Sequence, residues 1–220
     1  ELSDFYSYDT STNTWTAIAS FPSTPRRSAI AFGINGYGYF GTGFDGDNDR
    51  KDFWKYDPST DSWSELVGFG GDKRRAATTF TIGETAYMGT GVSNGIYLND
   101  FWAFDSATES WTQKLDLDEE DDYSIVRSNA LGFTLNDYGY IATGTFGGTL
   151  QSIWEYDPNT DTWESKTDFE RTSRQVASIW MIWRNFYHMT NTTTKISDFD
   201  YVYLLISKKS YAVWHSSFKV

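Results

Sequence analysis

The chain has 220 residues, a formal net charge of −12 and no cysteine, so it offers no disulfide framework, thiolate nucleophile or thiolate metal ligand. The negative charge disfavours a nucleic-acid partner, because binding to a phosphate backbone rests on clustered Lys and Arg. No run of about 18 apolar residues exists, so no membrane-spanning helix is expected.

Aromatic residues make up 19% of the chain and Gly is plentiful at 18 residues, a composition that suits short twisted strands and predicts an all-β fold. In chain order, residues 4–15 read as two strands around a turn that begins at Asp9 and ends on Trp15. The segment "RRSAIAFGINGYGYFGTG" (26–43) reads as a hairpin joined at Asn35-Gly36, the dipeptide best able to supply two positive φ angles. After a loop, "DFWKYD" alternates, placing Trp54 and Tyr56 on one face and Phe53 and Lys55 on the other. Asp57-Pro58 starts the next turn, Asp by bonding its own backbone and Pro by fixing φ, and a last strand carries Trp63. "RRAATTFTIGETAYMGTG" (74–91) and "RSNALGFTLNDYGYIATG" (127–144) repeat the hairpin with Gly83-Glu84 and Asn136-Asp137 at the turn.

Trp15, Trp63, Trp111, Trp163 and, more loosely, Trp214 recur at spacings of 48, 48, 52 and 51 residues. Asp9, Asp57, Asp105 and Asp157 stand six residues before the first four. Such a period marks a repeat architecture, in which each four-stranded sheet buries its aromatic face against the next. The units are a partial one at 4–15, complete ones at 26–63, 74–111 and 127–163, and a degenerate one at 174–214, together a single domain over 1–220. In the last unit Trp180, Ile182, Tyr187 and Thr190 keep the register while Gly is lost.

The pattern resembles the kelch repeat: an opening Arg74, Tyr87 ahead of the Gly89 to Gly91 run, Phe104-Asp105, and Trp111 six residues after the Asp. With "GTG" in place of a double Gly, it is most similar to bacterial kelch proteins of the galactose-oxidase-like type. The resemblance implies a β-propeller of four-stranded antiparallel blades with four to five blades present. Two ring geometries stay open: closure of a very small ring by pairing 174–190 with the N-terminal strands, or an incomplete ring of six or seven blades, which is the expectation. It also implies a bacterial protein at the cell envelope or outside the cell.

Arg26, Arg74, Arg127 and Arg174 open the first strand of each unit, and Arg27 and Arg75 double two of them. By the resemblance they ring one mouth of the central channel, where guanidiniums take carboxylates bidentately. The alternative is that each binds a carboxylate or carbonyl of the neighbouring blade as part of the repeat. The loops 44–51, 92–99 and 145–151 differ between units, which points to binding, and Tyr97 and Phe146 are their aromatic candidates for stacking on a sugar or peptide, or loop anchors. Asp45, Asp47 and Asp49 have an alternate spacing that can wrap oxygens around Ca²⁺, but the distal Glu is missing, so a solvated loop is the reading and no metal or cofactor is expected. The acidic run 115–123 reads the same way. The two histidines, His188 and His215, both fall in the degenerate unit, and without Cys the copper chemistry of galactose oxidase is excluded. The expected function is a non-catalytic module for a protein or glycan ligand. Alternatives are a sugar-active enzyme like the kelch proteins that interconvert sialic acid anomers, and a spacer segment of a larger surface protein.

Overall fold

A computed structural model describes residues 2–117, 124–168 and 170. These residues contain sixteen strands and no helix, hence none long and apolar enough to cross a membrane. Strands β1 (Phe5–Asp9) and β2 (Thr14–Ile18) form a two-stranded sheet. Strands β3 (Ile30–Ile34), β4 (Tyr37–Gly41), β5 (Phe53–Asp57) and β6 (Ser62–Glu65) form an antiparallel sheet in sequence order. The next sheet holds β7 (Thr78–Ile82) and β8 (Thr85–Gly89), then, after a small hairpin of β9 (Val92–Ser93) and β10 (Ile96–Tyr97), β11 (Phe101–Asp105) and β12 (Ser110–Gln113). The third complete sheet is β13 (Leu131–Leu135), β14 (Tyr138–Ala142), β15 (Ile153–Asp157) and β16 (Thr162–Lys166). The three complete sheets span residues 30–65, 78–113 and 131–166; the unit expected at 174–214 lies outside the described residues.

Local chemistry fixes each turn. Asn35 and Gly36 have φ of 53° and 79°, Asn136 and Asp137 have 49° and 64°, and Gly83 alone carries the positive angle in the middle hairpin. The aspartate that opens each outer turn accepts a hydrogen bond from the backbone N–H two residues on: Asp9 from Ser11, Asp57 from Ser59, Asp105 from Ala107 and Asp157 from Asn159. The turns end in a left-handed residue, Asn13, Asp61, Glu109 or Asp161. Three of these side chains also tie down the tyrosine five residues earlier: Tyr8 donates to Asn13, Tyr56 to Asp61 at 2.7 Å and Tyr156 to Asp161 at 2.7 Å. Where the repeat has Phe104 there is no hydroxyl, and Glu109 instead takes Lys55 of the preceding sheet at 2.7 Å.

The core lies between sheets. Phe53, fully buried, meets Phe104 at 5.5 Å and Trp111 at 5.1 Å in the following sheet, and Phe69 closes on Trp111 at 4.9 Å. One unit on, Phe101 meets Tyr156 at 4.9 Å and Trp163 at 5.1 Å. Trp63 packs in the same way on Phe5 and Phe21, whereas Trp15, with no sheet before it among the described residues, is 56% exposed. The first strands β3, β7 and β13 run side by side near a common axis. Main-chain bonds join them: Asn129 N–H donates to Ala76 O at 3.0 Å and Ala76 N–H to Ser28 O at 2.8 Å, while Gly43 and Gly91 donate to the Arg74 and Arg127 carbonyls of the following units. The described sheets thus make an arc and not a closed ring.

Candidate functional site

Loops between the second and third strands, and those linking successive sheets, share one face of the arc. The arginine that opens each unit sits beneath it. Arg26 is 6% exposed and Arg74 and Arg127 are fully buried, so every donor needs an acceptor inside the protein. Arg26 grips both oxygens of Asp52 at 2.7 and 2.8 Å and donates to Thr42 O. Arg74 donates to Asp100 at 2.5 Å and to Thr90 O at 3.1 Å. The acceptors Thr42 and Thr90 hold positive φ angles of 58° and 63°, a rare conformation for a β-branched residue, and the Gly of each "GTG" follows in the same region. The carbonyl kink that feeds the arginine is therefore built by the two residues together.

Arg26, Arg74 and Arg127 do not form the open ring of guanidiniums expected at a channel mouth. Their partners come from their own units and from the linkers just before them, not from the neighbouring sheet, because the 26-residue offset from Arg26 to Asp52 and from Arg74 to Asp100 folds back to the start of the third long strand of the same sheet. Arg174 lies outside the described residues, as do His188 and His215.

The second arginine of each doublet behaves differently. Arg27 is exposed, and its guanidinium sits 4.9 Å from the Phe44 ring centroid. Arg75, from the next unit, lies 5.0 Å from the same ring and bonds Asp49 at 2.7 Å. Asp49, almost wholly buried, also accepts the Asn94 backbone N–H at 2.8 Å, so it clamps loop 44–51 to the hairpin of β9 and β10. Asp45 accepts from the Asn48 and Asp47 backbone N–H groups and from Arg50, and those bonds hold its carboxyl down at a pKa of about 2. The oxygens of Asp45 and Asp49 are thus engaged by protein donors, and among the described residues no group of three or more His, Asp or Glu has a metal-binding arrangement.

Tyr97 and Phe146, singled out from separate loops, meet edge to face at 4.9 Å and 70°. Phe146 stays 41% exposed, and Ile96 beside Tyr97 is 68% exposed. An apolar ridge thus runs across two successive units, and its β9–β10 hairpin is tied through the Asn94 N–H to Asp49, the carboxylate that also holds Arg75. A separate open cleft of about 840 Å³ is lined by charges of both signs, among them Arg50, Lys51, Glu65, Asp72 and Lys73. The sequence marked loop 44–51 as variable and Asp49 only as a weak Ca²⁺ candidate, and did not find Phe44 or the tie from Asp49 to the next unit; the signal was the Asn94-Gly95 dipeptide, whose φ angles of 49° and 83° make the small hairpin that brings Asn94 to Asp49.

The family model for the KLHDC2/KLHL20/DRC7 Kelch-repeats domain matches residues 1–120. The chain belongs to the kelch-repeat family. Its complete sheets are kelch blades and its arc is part of a β-propeller. Among solved structures the chain is similar to that titled "Structure of YjhT", with a TM-score of 0.68 at 20% identity, over 78% of this chain. The chain spans 61% of that structure's length, so the likeness speaks for the fold. No curated protein matches the chain.

Proposed function

We propose that this kelch chain is a non-catalytic binding module whose loop face takes an extended segment of a protein partner. The observation that carries the reading is the joining of Tyr97 and Phe146, from variable loops of successive blades, into one partly exposed apolar ridge, on a hairpin held by the same Asp49 that binds Arg75. Aromatic anchors next to an arginine are the composition of an interface hot spot. The blade arginines serve as scaffold, and Arg75, oriented by Asp49, serves the ligand. A ligand that fits has an apolar or aromatic side chain for the ridge and one carboxylate for the Arg75 guanidinium; the net charge of −12 opposes a strongly acidic one.

The test is an array of extended peptides, each with an aromatic residue and a single Asp or Glu, probed with the purified chain and with the variants Phe146→Ala and Arg75→Ala. Peptides retained by the unsubstituted chain should lose roughly tenfold in affinity with each variant, on the order of 1.4 kcal/mol. A folded chain that retains no peptide, or binding unmoved by both variants, overturns the reading. The sugar-active alternative has its own readout, the rate of sialic acid anomer exchange by NMR, and acceleration there would displace the binding reading.

A further inference from the structure

The three complete blades differ at one partly buried position. In the first, Asp52 accepts from Arg26 and also from the Trp54 indole N–H at 3.0 Å. In the second, one oxygen of Asp100 takes Arg74 at 2.5 Å and the Trp102 indole N–H at 2.8 Å. The third blade keeps the cation and the indole, Arg127 and Trp154, but has Ser152 where the others have aspartate. Arg127 is fully buried and spends its five N–H groups on neutral oxygens: the Ile125, Thr143, Ser152 and Ser124 carbonyls and the Ser152 hydroxyl. Trp154 Nε1 is buried and has no hydrogen-bond partner among the described residues.

We propose that the third blade binds a chloride-sized monovalent anion where its sisters hold a carboxylate, with the Trp154 indole N–H and the Ser152 hydroxyl as donors and the Arg127 guanidinium as counter-charge. Four observations support this. The indole N–H is the donor that reaches the carboxylate in both other blades, so its direction is set by the repeat. Ser in place of Asp is shorter by one carbon and one oxygen, a difference on the scale of a single-atom anion and too small for a sugar acid or a peptide terminus. Burial lowers the Arg127 pKa to about 10, against the opposing field of Asp168, the mark of a cation without a close partner. Asp168 is exposed and, among the described contacts, makes no hydrogen bond to the guanidinium. A buried cation gains from a desolvated anion beside it, and a buried indole N–H gains an acceptor.

The experiment measures the thermal midpoint of the 220-residue chain in sodium chloride and bromide against sodium gluconate at constant ionic strength. Chloride and bromide should raise it by about 2–4 °C and saturate. Ser152→Asp should raise the midpoint in gluconate and abolish the halide response, because the side chain then fills the place itself. Crystals in bromide should show an anomalous peak beside Trp154 Nε1, a readout that does not depend on the variant folding. Equal midpoints in all three salts, a halide response that survives Ser152→Asp, or the absence of that peak each overturns the proposal.

Discussion

Trp15 and Trp111 stand at the same register of the repeat, and replacing each by alanine separates the intrinsic worth of that residue from the worth of the adjoining sheet. Trp111 closes on Phe53 at 5.1 Å, Phe69 at 4.9 Å and Phe104 at 5.0 Å. Trp15 meets, among the described aromatic residues, only Tyr8, at 4.9 Å, and is 56% exposed. An aromatic side chain that removes roughly 150 Å² from water at about 25 cal/mol/Å² contributes about 4 kcal/mol, and the half-buried state of Trp111 trims this to about 3 kcal/mol. Trp111→Ala should therefore lower the thermal midpoint by roughly 6–12 °C in a domain of this size. Trp15→Ala should cost less than about 1 kcal/mol and move the midpoint by no more than about 2–4 °C. A double-mutant cycle of Phe53→Leu with Trp111→Ala should show coupling of about 0.5–1.5 kcal/mol across the blade boundary. Equal losses at Trp15 and Trp111, measured by calorimetry and urea titration, would refute the argument that these indoles act between sheets.

Tyr56→Phe removes the bond to Asp61, which together with burial pushes the Tyr56 hydroxyl up to about 12; about 1 kcal/mol should be lost in denaturant titration, while Phe104→Tyr should recover nothing, since Glu109 is committed to Lys55. Gly139→Val should destabilise by about 1–3 kcal/mol, because a Cβ at Gly139 falls 1.9 Å from Phe80 Cε2 of the preceding blade; an unchanged urea midpoint would mean the blades part freely there. The carboxyls of Asp9, Asp57 and Asp61 are held below the free value of 3.8 by hydrogen bonds, first from the Ser11 hydroxyl, the Ser59 hydroxyl and the Ala19 backbone N–H respectively, and Asp45 is held at about 2, first by the Asn48 backbone N–H. Their folded pKa values lie below the unfolded one, so their contribution is complete above that free value and disappears as pH falls through the folded values. The midpoint should thus drop steeply from about pH 4 toward pH 2, less steeply in Asp45→Asn, and an identical slope in that variant would count against the loop geometry.

The strands and their partners were legible because the repeat writes the same turn chemistry several times over: Asn35-Gly36 and the Asp57 turn each specify a local conformation that no tertiary contact has to impose. The destination of Arg74 was harder to read. Sequence places it at the start of an inner strand, but whether it points into the channel or under the loops depends on the kink at Thr90, and a Thr at positive φ has no sequence signature. Tyr97 and Phe146 were visible as loop aromatics, yet their contact depends on how two separate loops converge over neighbouring blades, information that no single loop contains. The substitution at Ser152 was plain in the letters and meaningful only once the register of Asp52 and Asp100 showed what it replaces.

The junctions from Ser28 to Ala76 to Asn129 are written in peptide groups alone, and three unlike side chains occupy the equivalent places. Such a joint asks nothing of residue identity beyond tolerance of a left-handed backbone. At this inner joint a blade can be copied without redesign as long as the aromatic faces farther out are copied with it, so the lineage of a protein like this is free to grow by duplicating whole cassettes while each copy's loops diverge toward a task of their own.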